Sequence, residues 1–272
     1  MRYETITKLN AINLRFYRQR ADEFSRTRRR PWAGWHRVAE AIERHRQVRS
    51  GRLSVLDLGC GNGRWGFYLG ERLGRAFKYC GVDISRPLLR EAEEWLADGP
   101  AHVVLKNLDL VAGRSLAEVL GPARFDIITV FGLMHHLPGY QARRRLVQRA
   151  ARLLRPGGSL WLSSWRFADV ERFQLRVLSW REYNRFADDP IDVGDLDRGD
   201  VLLRWGRDRS RASVRYCHAA DDDELARLVR ASGLEARQRF RADGQDGGLN
   251  LYLELAASET DERGSTPSSR SR

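Results

Sequence analysis

Val55-Leu56-Asp57-Leu58-Gly59-Cys60-Gly61-Asn62-Gly63-Arg64 runs apolar residues into an acid and then sets three glycines at alternate positions; an amphipathic segment follows through Trp65, Leu69 and Leu73. The pattern predicts strand, tight turn and helix, the glycines removing side chains where a ligand must approach the backbone. It predicts a nucleotide-type cofactor pocket.

A glycine count alone does not choose the cofactor. Gly61-Asn62-Gly63-Arg64-Trp65-Gly66 also fits the dinucleotide fingerprint, and Asp83 lies 20 residues past Gly63, where a ribose-binding acid is expected. Asp57, two positions before the first glycine, discriminates. A carboxylate there repels a pyrophosphate and suits an ammonium group. S-adenosylmethionine carries that ammonium and no phosphate, so the motif resembles that of class I S-adenosylmethionine-dependent methyltransferases more than that of a nicotinamide oxidoreductase.

The 272 residues can bury one sizeable core, and 42% hydrophobic content with 8 Trp and 8 Tyr predicts a folded globule. No run of about 18 apolar residues is present, so no transmembrane helix and no membrane partner is expected. Met1-Arg2-Tyr3-Glu4 lacks the apolar core of a secretory signal. Cys60, Cys80 and Cys217 have no metal-ligand spacing and leave an odd number. They predict no metal and a reducing, cytoplasmic setting. The net charge of +12 and pI near 10.3 call for an anionic partner, with nucleic acid the first candidate. With only three lysines among 48 basic residues, codon bias toward arginine is the competing explanation.

Along the chain, residues 4–24 and 34–48 read as helices, the first with Ile6, Leu9, Ile12 and Phe16 along one stripe. Strands are predicted at 53–58, 77–82, 102–105 and 125–130, then through Leu160-Trp161-Leu162 after the turn Arg155-Pro156-Gly157-Gly158. Helices at 62–73, 86–97, 114–120 and 141–154 fill the gaps, and a helix at 221–232 with strands near 234–241 and 249–255 completes seven strands. The expectation is an α/β fold: a doubly wound, mostly parallel, Rossmann-like seven-stranded sheet of the class I methyltransferase type. An N-terminal helical cap occupies residues 1–50, and the methyltransferase domain occupies 51–257. An insertion at about 166–217 is too long for a simple connection and reads as a lid or substrate insertion. The Ser-rich tail 258–272 reads as disordered.

Within this frame Asp57 is expected near the ammonium, with Gly59, Gly61 and Gly63 shaping the pocket. Asp83 is expected at both ribose hydroxyls and Asp109 at the adenine amino group, with Ile84, Leu110 and Phe131 beside them. Each acid could instead cap a helix or close a strand end. After the fourth strand, Phe131-Gly132-Leu133-Met134-His135-His136-Leu137-Pro138 sets two histidines at the carboxyl edge. Either could be a general base or a packed residue fixing the following helix.

A more specific resemblance rests on several further stretches. These are Phe24-Ser25-x-Thr27-Arg28-x-x-Pro31-Trp32, His135-His136 followed by Arg143-Arg144-Arg145, and Leu153-Leu154-Arg155-Pro156-Gly157-Gly158 ending at Trp165. Gly199-Asp200-Val201-Leu202 running to Trp205, and Arg215-Tyr216-x-His218, extend the match over about residues 16–240. Together they resemble the tRNA wobble-uridine carboxymethyl O-methyltransferases. The resemblance implies methyl esterification of a carboxymethyl group on the wobble uridine, with tRNA as partner and, in some members, a small activating protein. The chain departs from the family pattern at Arg204-Trp205, at Tyr216-Cys217-His218 and at Leu249-Asn250-Leu251-Tyr252.

A carboxylate acceptor is ionised at neutral pH, so under this resemblance His135 and His136 position rather than deprotonate. Arg28, Arg29 and Arg144 are then the candidates to hold the carboxylate, and Trp32, Trp165, Trp205, Tyr216 and His218 are expected to border the base. The arginines at 26, 28–30, 143–145, 204, 207, 209 and 211 would meet the RNA backbone, although 143–145 equally fit a solvated helix face. The competing readings are a small-molecule O- or N-methyltransferase and a non-catalytic RNA-binding or partner-activating module.

Overall fold

The computed structural model describes residues 1–27, 30–47, 51–97, 99–100, 102–111, 116–205 and 214–258. Arg28, Arg29, Arg207, Arg209, Arg211 and the tail beyond Ser258 lie outside the described residues.

A seven-stranded sheet carries the fold. In chain order its strands are β1 (Leu53–Leu58), β2 (Phe77–Asp83), β3 (His102–Asn107), β4 (Phe125–Val130), β5 (Leu154–Trp165), β9 (Glu235–Ala242) and β10 (Asn250–Ala256). Their spatial order is β3-β2-β1-β4-β5-β10-β9. Only β10 is reversed, pairing antiparallel with both β5 and β9. The pleat of β1 splits the core in two, as alternation requires. Leu56 and Leu58 enter one cluster with Leu146, Val147, Leu225 and Leu228. Those partners come from α6 (Tyr140–Arg152) and α9 (Asp222–Ser232). Leu53 and Val55 enter the other cluster, with Trp35, Trp65, Leu69 and Leu96. These come from α2 (Ala33–Gln47), α3 (Arg64–Leu73) and α4 (Arg86–Leu96). With helices on both faces, β4 is buried at all six positions, and it sends Ile128 and Val130 into one cluster and Ile127 into the other.

The order reverses between β1 and β4, which pair directly, Val55 opposite Ile127. Ligands of open α/β sheets bind at such a switch point, and the glycine turn leaves β1 there.

The 166–217 insertion has structure that its sequence does not announce. Besides α7 (Glu171–Gln174) and α8 (Trp180–Asn184), it builds an antiparallel sheet of β6 (Val177–Leu178), β7 (Asp200–Arg204) and β8 (Val214–His218). The first helix, α1 (Tyr3–Arg26), lays Leu9 and Ile12 against Leu178, Leu202 and Val214 of this sheet. The N-terminal helix and the insertion therefore share one small core, and α1 is held across the carboxyl edge of the main sheet.

Candidate active site

Two adjoining cavities open at the carboxyl edge. The first is lined by the glycine turn, the ends of β2 and β4, the segment after β3, and α1. Gly59 and Gly61 take φ of 79° and 54°, conformations that cost an L side chain 1–2 kcal/mol or so. A Cβ on Gly61 would meet no atom within 4 Å, whereas one on Gly59 would stand 3.0 Å from Leu133. Gly61 thus keeps the cavity wall flat. Gly63, expected to shape the pocket, lines neither cavity, and a Cβ there would lie 2.9 Å from Ala92 Cβ. It lets α3 approach α4.

Asp57 is 2% exposed at the wall of this cavity. Its Oδ1 accepts from Thr129 Oγ1 at 2.8 Å and its Oδ2 from Tyr79 Oη at 2.6 Å. Burial raises its pKa to about 6, against the lowering effect of the two hydroxyls. The site holds a costly carboxylate with no cation beside it among these contacts, an arrangement suited to a cationic ligand.

Asp83 lines the same cavity. Its Oδ2 accepts from the Gly61 amide at 2.9 Å and its Oδ1 from the Ser85 amide at 2.8 Å. Burial pushes this carboxyl up as well, opposed by the Ser85, Gly61 and Ile84 amides. Asp83 therefore fixes the glycine turn while facing the cavity. Asp109 accepts from the Val111 amide at 2.7 Å and from Asn10 Nδ2 at 3.0 Å, tying the segment after β3 to α1. Ile84, Leu110 and Phe131 complete the expected wall.

The second cavity shares Tyr17, Trp32, Arg64, Gly132 and His136 with the first. Trp165 and Trp205 line it, and so do seven arginines: 26, 30, 64, 172, 176, 204 and 215. Among the described residues its one lining carboxylate, Asp243, already accepts from the Gly34 amide, Asn250 Nδ2 and Tyr252 Oη.

The two histidines divide. His135 is buried and packs its ring 5.0 Å from Trp165 on the second cavity. His136 reaches both cavities and is held on both nitrogens: Nε2 lies 2.7 Å from Tyr17 Oη and Nδ1 lies 3.2 Å from the Tyr216 carbonyl. Nδ1 also lies 3.4 Å from Asn13 Nδ2; it donates if it meets the carbonyl and accepts if it meets the amide, and Tyr17 Oη can match Nε2 in either case. Asn13 closes this clamp, taking the Tyr216 amide at 2.9 Å and reaching the His136 carbonyl at 3.3 Å. Among the described residues, His135, His136 and Cys217 are a group whose donor atoms come within 4.8 Å of one another. A metal there would have to displace the hydrogen bond on whichever His136 nitrogen it took.

Three expected substrate residues are elsewhere. Arg144 is exposed on α6 beside Gln141 and lines neither cavity. Tyr216 and His218 are buried in a polar network, Tyr216 Oη and His218 Nδ1 each 2.7 Å from Asp200 Oδ1. His218 Nε2 lies 2.8 Å from Glu224. Arg143, expected on RNA or a solvated face, is 1% exposed. It bonds Glu224 at 2.6 Å and Asp197 at 2.9 Å. Arg143 is thus paired with a buried carboxylate at Glu224 and a partly exposed one at Asp197.

Arg64 and Arg215 are the site residues that sequence reasoning missed. Arg64 is buried between the cavities, its guanidinium 4.7 Å from the Trp35 ring and 5.3 Å from the Trp32 ring. A cation in the first turn of α3 opposes the helix dipole, and that mismatch was the available signal.

A family profile described as a methyltransferase domain matches residues 56–160. The chain is 30% identical over 187 residues to a ubiquinone biosynthesis O-methyltransferase of Leptothrix cholodnii, a match covering 64% of this chain and 70% of that protein. The chain belongs to the S-adenosylmethionine-dependent methyltransferases. The methyltransferase is also 31% identical over 151 residues to a tRNA (carboxymethyluridine(34)-5-O)-methyltransferase of Arabidopsis thaliana, covering 56% of this chain and 32% of that one. For several of the curated relatives it matches, it spans 32% to 48% of their length. Its fold is that of an S-adenosylmethionine-dependent methyltransferase from Clostridium acetobutylicum, with a TM-score of 0.57 and 14% identity over 89% of this chain and 98% of that one. Among the described residues no helix is long and apolar enough to cross a membrane.

Proposed function

We propose that this methyltransferase esterifies the carboxylate of a carboxymethyl group on the wobble uridine of tRNA. The observation that carries the reading is the second cavity, which joins the first through Trp32, Arg64 and His136 and is lined by seven arginines and by Trp165, Trp205 and Phe173. An anionic group on a planar base splayed out of its stack is the ligand such walls suit. The partial likeness to the Arabidopsis tRNA enzyme points the same way.

The residues of the first cavity fit the cofactor. Asp57 supplies negative charge for the amino-acid end, Asp83 acceptors for the sugar hydroxyls, and Ile84 and Leu110 apolar faces for the adenine, with Asp109 at its edge. When bound, S-adenosylmethionine supplies a methyl group on a positively charged sulfur. A carboxylate acceptor carries its own nucleophilic electron pair and loses no proton, so the protein's work is alignment and exclusion of water. His136, fixed by Tyr17 and the Tyr216 carbonyl, serves as a rigid wall between the cavities, and the arginines hold the acceptor.

Transfer of labelled methyl to fractionated total RNA, with nucleoside analysis, tests the reading. Label is expected in a methyl ester of a wobble carboxymethyluridine. Label that survives nuclease treatment in a low-molecular-weight extract would replace the reading with a small-molecule methyltransferase, the direction of the ubiquinone-pathway relative.

A further inference from the structure

Arg215 sits on β8 with its guanidinium over three rings, 5.0 Å from Trp165, 5.2 Å from Trp205 and 5.6 Å from Phe16. It is 5% exposed and lines the second cavity. Among the described residues no carboxylate pairs with it, and its buried Nε has no hydrogen-bond partner. Arg143 makes the contrast: equally buried, it meets Glu224, Asp197 and the Leu137 carbonyl. Stacking on aromatic faces compensates a desolvated guanidinium only in part, and a buried cation without an anion is a standing cost.

We propose that Arg215 is the specificity-determining anchor of the acceptor, forming the fork that receives the substrate carboxylate inside the aromatic cage. The exposed Arg26, Arg30, Arg172 and Arg176 lie at the rim, where backbone phosphates remain solvated. The buried fork faces only what enters the cavity, and a planar carboxylate matches its two parallel donors. Trp165 and Trp205 flank the same guanidinium and provide flat surfaces for the ring that bears the carboxylate. Identifying that ring as uracil rests on the function proposed above. The anion preference does not.

The test uses the full chain and Arg215→Met, with Arg215→Lys as the charge-retaining control. Quenching of tryptophan fluorescence reports binding of two pairs of probes: 5-carboxymethyluridine against its neutral carbamoylmethyl counterpart, and phenylacetate against phenylacetamide. Inorganic phosphate serves as a competitor. The native protein is expected to prefer each carboxylate by about tenfold or more, the worth of one charge-assisted fork. Arg215→Met is expected to abolish the preference, Arg215→Lys to restore part of it, and cofactor affinity to stay within about twofold. Because Met removes an unpaired buried charge, the thermal midpoint of the variant should match or exceed that of the native protein. Preference retained in Arg215→Met, or absent from the native protein for both pairs, overturns the proposal. So does phosphate competing through Arg215 as well as the carboxylates do. Discrimination confined to the phenylacetate pair would keep Arg215 as the anchor and remove the tRNA reading. Discrimination of the uridine pair surviving in Arg215→Met would do the reverse.

Discussion

At the scale of single residues, the first cavity turns on the charge of Asp57. Its pKa of about 6 means that it is ionised at neutral pH and protonates as the pH falls through 6. A raised carboxyl stabilises the native state fully only below its ordinary value of 3.8, and that contribution is lost as the pH rises through 6. At pH 7 the ligand-free protein therefore carries a penalty of up to about 3 kcal/mol. Calorimetric titration with S-adenosylmethionine should show affinity weakening about tenfold per pH unit below 6. Asp57→Asn should bind weakly at every pH, yet unfold no earlier than the native protein at pH 7. Unchanged affinity in that variant would separate Asp57 from the cofactor. Gly63 predicts the opposite pattern. With φ at 74° and Ala92 Cβ 2.9 Å from a new methyl, Gly63→Ala should destabilise the fold by about 2–4 kcal/mol in a thermal melt. Asp57 and Asp83 were legible from the sequence because a strand end and a glycine turn fix where they stand. The different duty of Gly63 was not legible, because it depends on a neighbour in α4.

At the scale of elements, the insertion is fastened to the main domain by a buried chain of charges. Asp200 of β7, His218 of β8, Glu224 of α9 and Arg143 of α6 are bonded in sequence, and Asp197 bonds Arg143 in turn. Burial disfavours a charged His218, but hydrogen bonds to Asp200 and Glu224 outweigh it and raise its pKa above 6.5. Burial likewise pushes Glu224 up, while His218 and Arg143 pull it below 4.5. The His218 contribution is complete below pH 6.5 and fades as the pH rises through its raised value. The Glu224 contribution is complete above pH 4.5 and fades as the pH falls through its lowered value. Both are therefore complete between 4.5 and 6.5. His218→Asn should lower stability by about 3–5 kcal/mol within that window, and by less at pH 9, as read from denaturant melts. A pH-independent deficit would mean that the histidine acts by shape alone. The seven main strands were legible because burial on one or both faces leaves short β-branched and aromatic clusters between turn residues, as in Phe125-Asp126-Ile127-Ile128-Thr129-Val130. The small sheet was not: β6 has two residues, and the partners of His218 lie 18 and 6 positions away. Its Tyr216 and His218 read as substrate contacts until the tertiary structure pairs them with Asp200 and Glu224.

At the scale of the molecule, the formal charge of +12 was a weak indication of partner, because arginine enrichment has compositional causes. Its distribution says more. Several arginines are spent internally, Arg143 on Glu224 and Arg72 on Glu43, whereas Arg26, Arg30, Arg172 and Arg176 stand exposed around the second cavity. If each of these four meets one phosphate of an anticodon loop, counterion release sets the salt dependence of RNA binding. The logarithm of the association constant should fall with the logarithm of salt concentration at a slope of about −3, the single-strand value for about four contacts. Cofactor affinity should change little over the same range, since its groups are met inside the fold, where screening is weak. Replacing Arg172 and Arg176 together by alanine should make the RNA slope shallower by about 1.4 and leave S-adenosylmethionine binding intact. Filter binding of a tRNA anticodon stem-loop between about 50 and 200 mM salt reads the slope directly. A slope unchanged by the double replacement would put the nucleic acid on another face of the protein. A slope near zero in the native protein would mean that the cationic cavity serves a small anionic acceptor instead.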